Sequence, residues 1–185
     1  MEMTTNPLNW GPISLVRRNH GLEHATLNLL SELYPQKSFA GYSDTKGFWV
    51  VGDISTDVLF SVVNQALDRL RGGERNLAIH ANCGTNFVTS GVVAGTLAWL
   101  GTLGNARSFR KKINRWSYLV MLVTGALILS KPLGPIVQEK FTTSGDPLDL
   151  AVSQITRYDR NGPALHHIRT AVHQAAAPAA AVSEE

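Results

Sequence analysis

Two short stretches of this 185-residue chain carry side chains that could do chemistry together. The first is HGLEH, His20 to His24. Its neighbours have helical periodicity, so His20 and His24 stand four apart on one helix face with Glu23 beside them. Two imidazoles so placed can bind one metal ion, and the carboxylate can act on a water held there. This is the HxxEH pattern of the inverted zincins, in which both histidines bind zinc and the glutamate polarises the water. The second stretch is HANCGTN, His80 to Asn86. It brings another imidazole and the single thiol of the chain, Cys83. A histidine and a thiolate three apart in a glycine-containing turn can add one or two further ligands.

The expected centre is one divalent transition metal, with zinc favoured by the mix of imidazole and soft thiolate. His20, His24 and Cys83 are its expected ligands, and His80 is a fourth ligand or a close neighbour. Glu23 is the expected general base on a metal-bound water, and the implied reaction is hydrolysis of a peptide or other amide. Two alternatives stay open. If all four of His20, His24, His80 and Cys83 bind, the shell is closed and the metal is structural. If Cys83 is instead a nucleophile with a histidine as its base, the chain is a thiol enzyme. Other polar residues read more plainly. His166, His167 and His173 read as solvated helix residues, and Asp44, Asp53 and Asp57 as turn and cap residues. Glu74 reads as solvated, with a supporting role at the metal as the alternative. Thr85 and Asn86 either stabilise their turn or orient a ligand or substrate.

The elements that must position these groups follow from periodicity. Pro7, Gly11 and Pro12 mark an irregular lead-in over residues 1–12. Ser14 to Leu33 reads as a helix with Leu15, Leu22, Leu29 and Leu33 on one stripe. The histidines lie on roughly the other side, so they face water or a second layer covers them. Tyr34-Pro35 stops the helix. Two β-type runs, Ser38–Tyr42 and Phe48–Ile54, flank a loop containing Gly47 and predict a hairpin. Ser55 or Thr56 caps a second helix with a Val58, Val62, Leu67, Leu70 stripe, and Gly72-Gly73 ends it. Leu77–Ile79 is expected to be a short strand that delivers His80.

Beyond Asn86 the solvent changes. The chain is 44% apolar and only 17% charged, which leans toward membrane contact. Phe87 to Gly104 holds no ionisable side chain and would span about 27 Å as a helix, against a hydrocarbon core of ~30 Å. Gly91 and Gly95 form a GxxxG pair suited to a helix partner or a homo-oligomer. Trp116 to Ser130 is a second uncharged run. Between them Arg107, Arg110, Lys111, Lys112 and Arg115 meet no acid. Packing the cations into one connection argues against nucleic-acid binding, which spreads them along a face. The reading is a transmembrane hairpin in contact with lipid, in the bacterial cytoplasmic (inner) membrane. A soluble domain this small has little protein with which to surround two apolar helices. The basic loop should stay cytoplasmic, which puts residues 1–86 outside, yet no secretory signal is visible. Orientation therefore stays open. One cysteine leaves no disulfide within the chain. Pro147–Tyr158 and Ala164–Ala175 read as modest helices around Asn161-Gly162-Pro163, and AAAPAAAVSEE reads as disordered.

The expected fold is therefore a small α+β domain at residues 13–86, built of helix, β-hairpin, helix and short strand. A transmembrane α-helical hairpin at 87–137, a soluble helical tail at 138–177 and a disordered end at 178–185 follow. HGLEHAT followed by HANCGTN directly before an apolar run resembles the YqhQ-like family of bacterial membrane proteins. Those carry HGxEH and then HxxCGT before transmembrane segments, and are classed as predicted metal-dependent enzymes. The chain also resembles a smaller uncharacterised bacterial membrane family with HGLEHAT and NCGTN. The resemblance covers roughly Asn19–Thr26, His80–Gly95 and the hairpin, and implies His20, Glu23, His24, His80 and Cys83 as site residues. Ala25 stands where that family has a basic residue, and HANCGTN where it has HPRCGTS, so a shared substrate does not follow.

Overall fold

Helix α1 spans Gly11–Leu33 and begins with proline in its first turn, where an N–H would have no partner in any case. The computed structural model that contains it describes residues 7–103, 109–158 and 162–172. Strands β1 (Ala40–Asp44) and β2 (Gly47–Val51) pair antiparallel around a two-residue turn, tighter than the five-residue loop the sequence suggests. Gly47 makes that turn possible. Its φ is +147°, and a Cβ there would lie 2.0 Å from the Ile168 carbonyl oxygen.

Helix α2 (Thr56–Arg71) is capped by Ser55, whose hydroxyl accepts from the Val58 N–H, and it buries Leu59, Val62, Val63, Ala66, Leu67 and Leu70. The expected strand at Leu77–Ile79 is absent. Arg75–Ala78 is a 3-10 turn, because the carbonyls there serve side chains of α1 rather than a strand ladder. Helices α3 (Gly84–Thr102) and α4 (Phe109–Leu129) follow, then a short α5 (Leu133–Val137) that runs into a π-helical turn over Gln138–Thr142.

The largest departure lies near the C-terminus. The expected helices there are strands β3 (Leu150–Tyr158) and β4 (Leu165–Val172). They complete one antiparallel sheet of order β1-β2-β4-β3. The physical reason is a period of two. His166 and Ile168 are fully buried, while Leu165, His167 and Arg169 between and beside them are not. Phe48 pairs with Ile168 and Trp49 with His167, so β2 supplies the template that a local reading lacks. The sheet packs one face on α1 and α2. Leu22, Leu30, Phe48, Val50, Leu59, Val63, Leu150 and Ile168 form a core there, each worth about 1.5–3 kcal/mol of burial.

The transmembrane hairpin is likewise corrected. Among the described residues no single helix is long and apolar enough to cross a membrane. Four glycines, three threonines and a serine dilute Phe87–Gly104. Arg115–Leu129 has the needed apolar character only when joined to Leu133–Thr142, and that pair bends by 53°. Past the bend, Gln138 and Thr142 hydrogen-bond His80 and His20, so this segment belongs to the site. Gly91 and Gly95 have open space where a Cβ would stand; α3 and α4 approach closely at Gly101, opposite Leu119. The start of the lead-in, the basic side chains of Arg107, Arg110, Lys111 and Lys112, and the end expected to be disordered lie outside the described residues. Arg115 is described, and its guanidinium donates to the Gly101 carbonyl at 3.1 and 2.9 Å.

Candidate metal centre

The middle of α1 carries HGLEH beneath a second layer of protein. Helix α1 packs against β1 and against the turn at 75–78, and residues of α1, of β1 and of the segment at 80–85 line one cleft of about 480 Å3. Gly21 lets that layer close. A Cβ there would lie 2.0 Å from the Ser144 carbonyl oxygen, so the backbone after the π-turn sits directly on the helix. His24 is 1% exposed, Glu23 3% and Cys83 7%.

His20, His24 and Cys83 form one cluster whose donor atoms all lie within 4.8 Å of one another. Such a group could hold a metal ion. The Cys83 sulfur is 3.6 Å from His20 Nε2, and the two imidazole centroids are 4.2 Å apart. A backbone carbonyl orients each ring. His20 Nδ1 is 3.0 Å from the Thr142 carbonyl oxygen, and His24 Nδ1 is 2.8 Å from that of Ala78. A carbonyl only accepts, so each Nδ1 carries a hydrogen and each Nε2 is left facing the cleft, where it offers a lone pair when the ring is neutral and a hydrogen when it is charged. Metal-binding histidines are commonly fixed in this way.

Cys83 is the N-cap of α3, and its sulfur accepts the Thr85 N–H at 3.4 Å. Burial opposes the thiolate, but hydrogen bonds from His24 and Thr85 and the charge of His24 outweigh it. The thiol is held below its ordinary range. Glu23 behaves in the opposite way. Burial raises its pKa more than the Ser43 hydrogen bond and the nearby His20 lower it. The Ser43 hydroxyl donates to one carboxylate oxygen. Gly41 leaves room for the other, since a Cβ there would stand 2.6 Å from Oε1.

His80 lines the same cleft but stands outside the three-donor cluster, its ring 5.7 Å from that of His24. Asn28 Nδ2 donates to the carbonyls of Leu77 and Ile79, which turns Oδ1 toward His80 Nδ1 at 2.6 Å. His80 Nδ1 therefore carries the hydrogen. Burial and the neighbouring His24 hold its pKa below the usual value. Its backbone N–H donates to Gln138 Oε1 at 3.0 Å, and Gln138 Nε2 donates to the His80 carbonyl and to Asn86 Oδ1. Asn86 also ties down the turn through the Ala81 carbonyl at 2.7 Å.

Asn28, Ser43, Gln138 and Thr142 are the supporting residues that motif reading missed. A glycine inside a strongly helical pattern, Gly21, is the one sequence signal that something presses on α1. The remaining candidates lie elsewhere. Glu74 pairs with Arg69, Asp53 with Lys37, and Asp44 accepts the Lys46 N–H in the hairpin turn. Asp57 lies in the first turn of α2. His166 and His167 are not solvated helix residues. His166 is buried in β4 with Nε2 3.3 Å from Thr56 Oγ1, and the His167 ring stacks on Trp49 at 4.0 Å. His173 lies outside the described residues.

No solved structure matches the chain. An uncharacterised protein of Picosynechococcus sp. is 33% identical over 169 residues, covering 83% of this chain and 78% of that protein. Residues 15–155 match the family described as "Domain of unknown function (DUF6391)". That span takes in HGLEH, the Cys83 turn and the π-turn that backs them, and by it the chain belongs to the DUF6391 family.

Proposed function

We propose that this chain is a zinc-dependent hydrolase, with His20, His24 and Cys83 as metal ligands and Glu23 as general base. The observation that carries the reading is the pair of Nδ1–carbonyl hydrogen bonds, which leave both Nε2 atoms to the cleft that also holds the Cys83 sulfur. Three protein ligands leave one tetrahedral position for a small molecule, the arrangement of catalytic rather than structural zinc. The resemblance of HGLEHAT and HANCGTN to predicted metal-dependent enzymes supports the same reading. Zinc, when bound, supplies the positive charge that acidifies a water and polarises a carbonyl. Glu23 takes the proton of the attacking water as the new C–O bond forms at the carbonyl carbon. It returns that proton to the leaving nitrogen as the C–N bond breaks. A buried carboxylate of raised pKa suits both transfers. The Ser43 hydroxyl holds the carboxylate toward the cleft.

The test has two parts. Elemental analysis of the purified chain should find one equivalent of zinc, lost in the His20→Ala/His24→Ala variant. Cleavage of unfolded casein should fall about 10²–10⁴-fold in Glu23→Gln with zinc content unchanged. Activity that survives chelation and is abolished by alkylating Cys83 would assign the chemistry to the thiol instead.

A further inference from the structure

Strand β1 is an edge of the sheet, with β2 on one side and no strand on the other among the described residues. It is also a wall of the metal cleft, through Ala40, Gly41, Tyr42 and Ser43. Its register fixes which backbone groups are free. Asp44 pairs with Gly47 across the two-residue turn, so that pair is hydrogen-bonded, and the alternation makes Tyr42–Trp49 and Ala40–Val51 hydrogen-bonded too. The N–H and C=O of Gly41 and of Ser43 therefore point away from β2. No backbone hydrogen bond among the described residues takes up either. Their side-chain positions, meanwhile, face α1 at Glu23.

This places a two-residue repeat of donors and acceptors, about 7 Å apart, beside the groups that would cleave an amide. A polypeptide backbone is the chemistry that matches such a repeat. The rest of the lining agrees. It includes Val16, Leu27, Phe39 and Tyr42 and no lysine or arginine, so nothing there selects a phosphate or a nucleic acid. Other exposed edges of sheets are blunted by lysine, proline or a bulge. None of these occurs in Ala40–Asp44, whose sequence is AGYSD. We infer that the substrate is an extended polypeptide segment that adds to the free edge of β1, pairing with Gly41 and Ser43, and so lies across the His20–His24–Cys83 centre.

This inference rests on the hydrolytic reading, and its test fails separately from it. Amide hydrogen exchange is followed in the zinc-loaded, 15N-labelled Glu23→Gln chain with and without unfolded casein. The amides of Gly41 and Ser43 should slow at least tenfold, while those of Ala40, Tyr42 and Asp44, already bonded within the hairpin, stay unchanged. A peptoid decamer keeps carbonyls that can accept from Gly41 and Ser43 but has no N–H to donate back to their carbonyls, so it cannot form the two-way ladder and should protect these two amides less than casein does. The wild-type chain held in chelator repeats the measurement without the substitution. Protection of Gly41 and Ser43 with no cleavage by the wild-type zinc form would uphold the docking edge and sink the hydrolase. Cleavage of casein without that protection, or equal protection by the peptoid, would overturn the edge.

Discussion

Helices α2 and α3 are both rich in apolar side chains, yet they meet different fates. Helix α2 buries six residues in the core, whereas Ala94 is the single fully buried residue of α3. In α2 the apolar positions recur on one stripe and Asp57, Asp68, Arg69 and Arg71 take the other side, so one face can dock and the other can face water. Helix α3 has no charged face, and neither it nor α4 has enough neighbouring protein to cover it. Phe87, Trp99, Trp116, Met121 and Leu129 are all exposed. Total hydrophobicity thus marks where the chain changes character, while periodicity decides how it packs. An apolar surface of this breadth is the kind that marks an interaction site. The two regions also meet at one place. The arm formed by α3 and α4 is rooted in the candidate metal centre, entering from Cys83 and leaving toward Gln138 and Thr142.

The sharpest way to break this contrast is to make the same truncation in both regions. Leu30 is 0% exposed and Met121 is 76% exposed. Leu30→Ala should cost about 2–5 kcal/mol in urea unfolding, because it removes core contacts and leaves a cavity. Met121→Ala should stay within about 0.5 kcal/mol. An equal cost at both positions would mean that the arm is packed against a partner in solution.

The same contrast explains what the sequence made visible. The candidate site was legible because HxxEH and HxxC are local patterns whose spacing is itself the signal. Helix α2 was legible because Ser55 and Gly72 punctuate a clear stripe. The strands β3 and β4 were not, since their pattern of two becomes meaningful only beside β2, more than a hundred residues earlier. Gln138 falls at the start of the expected helical tail, at 138–177, because a buried amide bridging His80 and Asn86 leaves no local trace. The transmembrane hairpin was misread for a related reason. An uncharged run of eighteen residues satisfies a length criterion even when glycine and threonine dilute it.

Glycine-to-alanine substitutions sharpen the contrast at smaller cost. In a helix this change normally stabilises by about 0.5–1 kcal/mol. At Gly21 the new methyl meets the Ser144 backbone at 2.0 Å, which cannot rotate away. Gly21→Ala should therefore destabilise by about 1–3 kcal/mol and weaken metal uptake, because the chain bearing Thr142 must shift. At Gly101 the methyl meets Leu119 Cδ2 at 2.5 Å, the end of a side chain that can turn aside. The net effect there should lie within about 0.5 kcal/mol. Gly91 faces open space, so Gly91→Ala should show the full helix gain. Thermal unfolding of the three variants orders them; a stabilised Gly21→Ala would show that the second layer does not press on α1.

The smallest expected effect concerns the outer face of the sheet, which differs from the arm in carrying a specific partner for its tryptophan. His167 stacks on Trp49, and burial lowers its pKa, opposed by Asp44 and aided by Arg169 and Lys46. The folded chain therefore binds this proton less readily than the unfolded chain, whose ordinary value is 6.5. Above that pH the ring is neutral in both states and its contribution is fully present. As pH falls below it the unfolded chain is protonated first, and stability is lost until the folded ring titrates as well. Wild type should thus lose slightly more stability than His167→Gln between about pH 7 and 5, and the His167 ring signals should titrate below the ordinary histidine value. Indistinguishable slopes, with an ordinary midpoint, would mean that Trp49 does not cover this ring and that the outer face is as unpartnered as the arm.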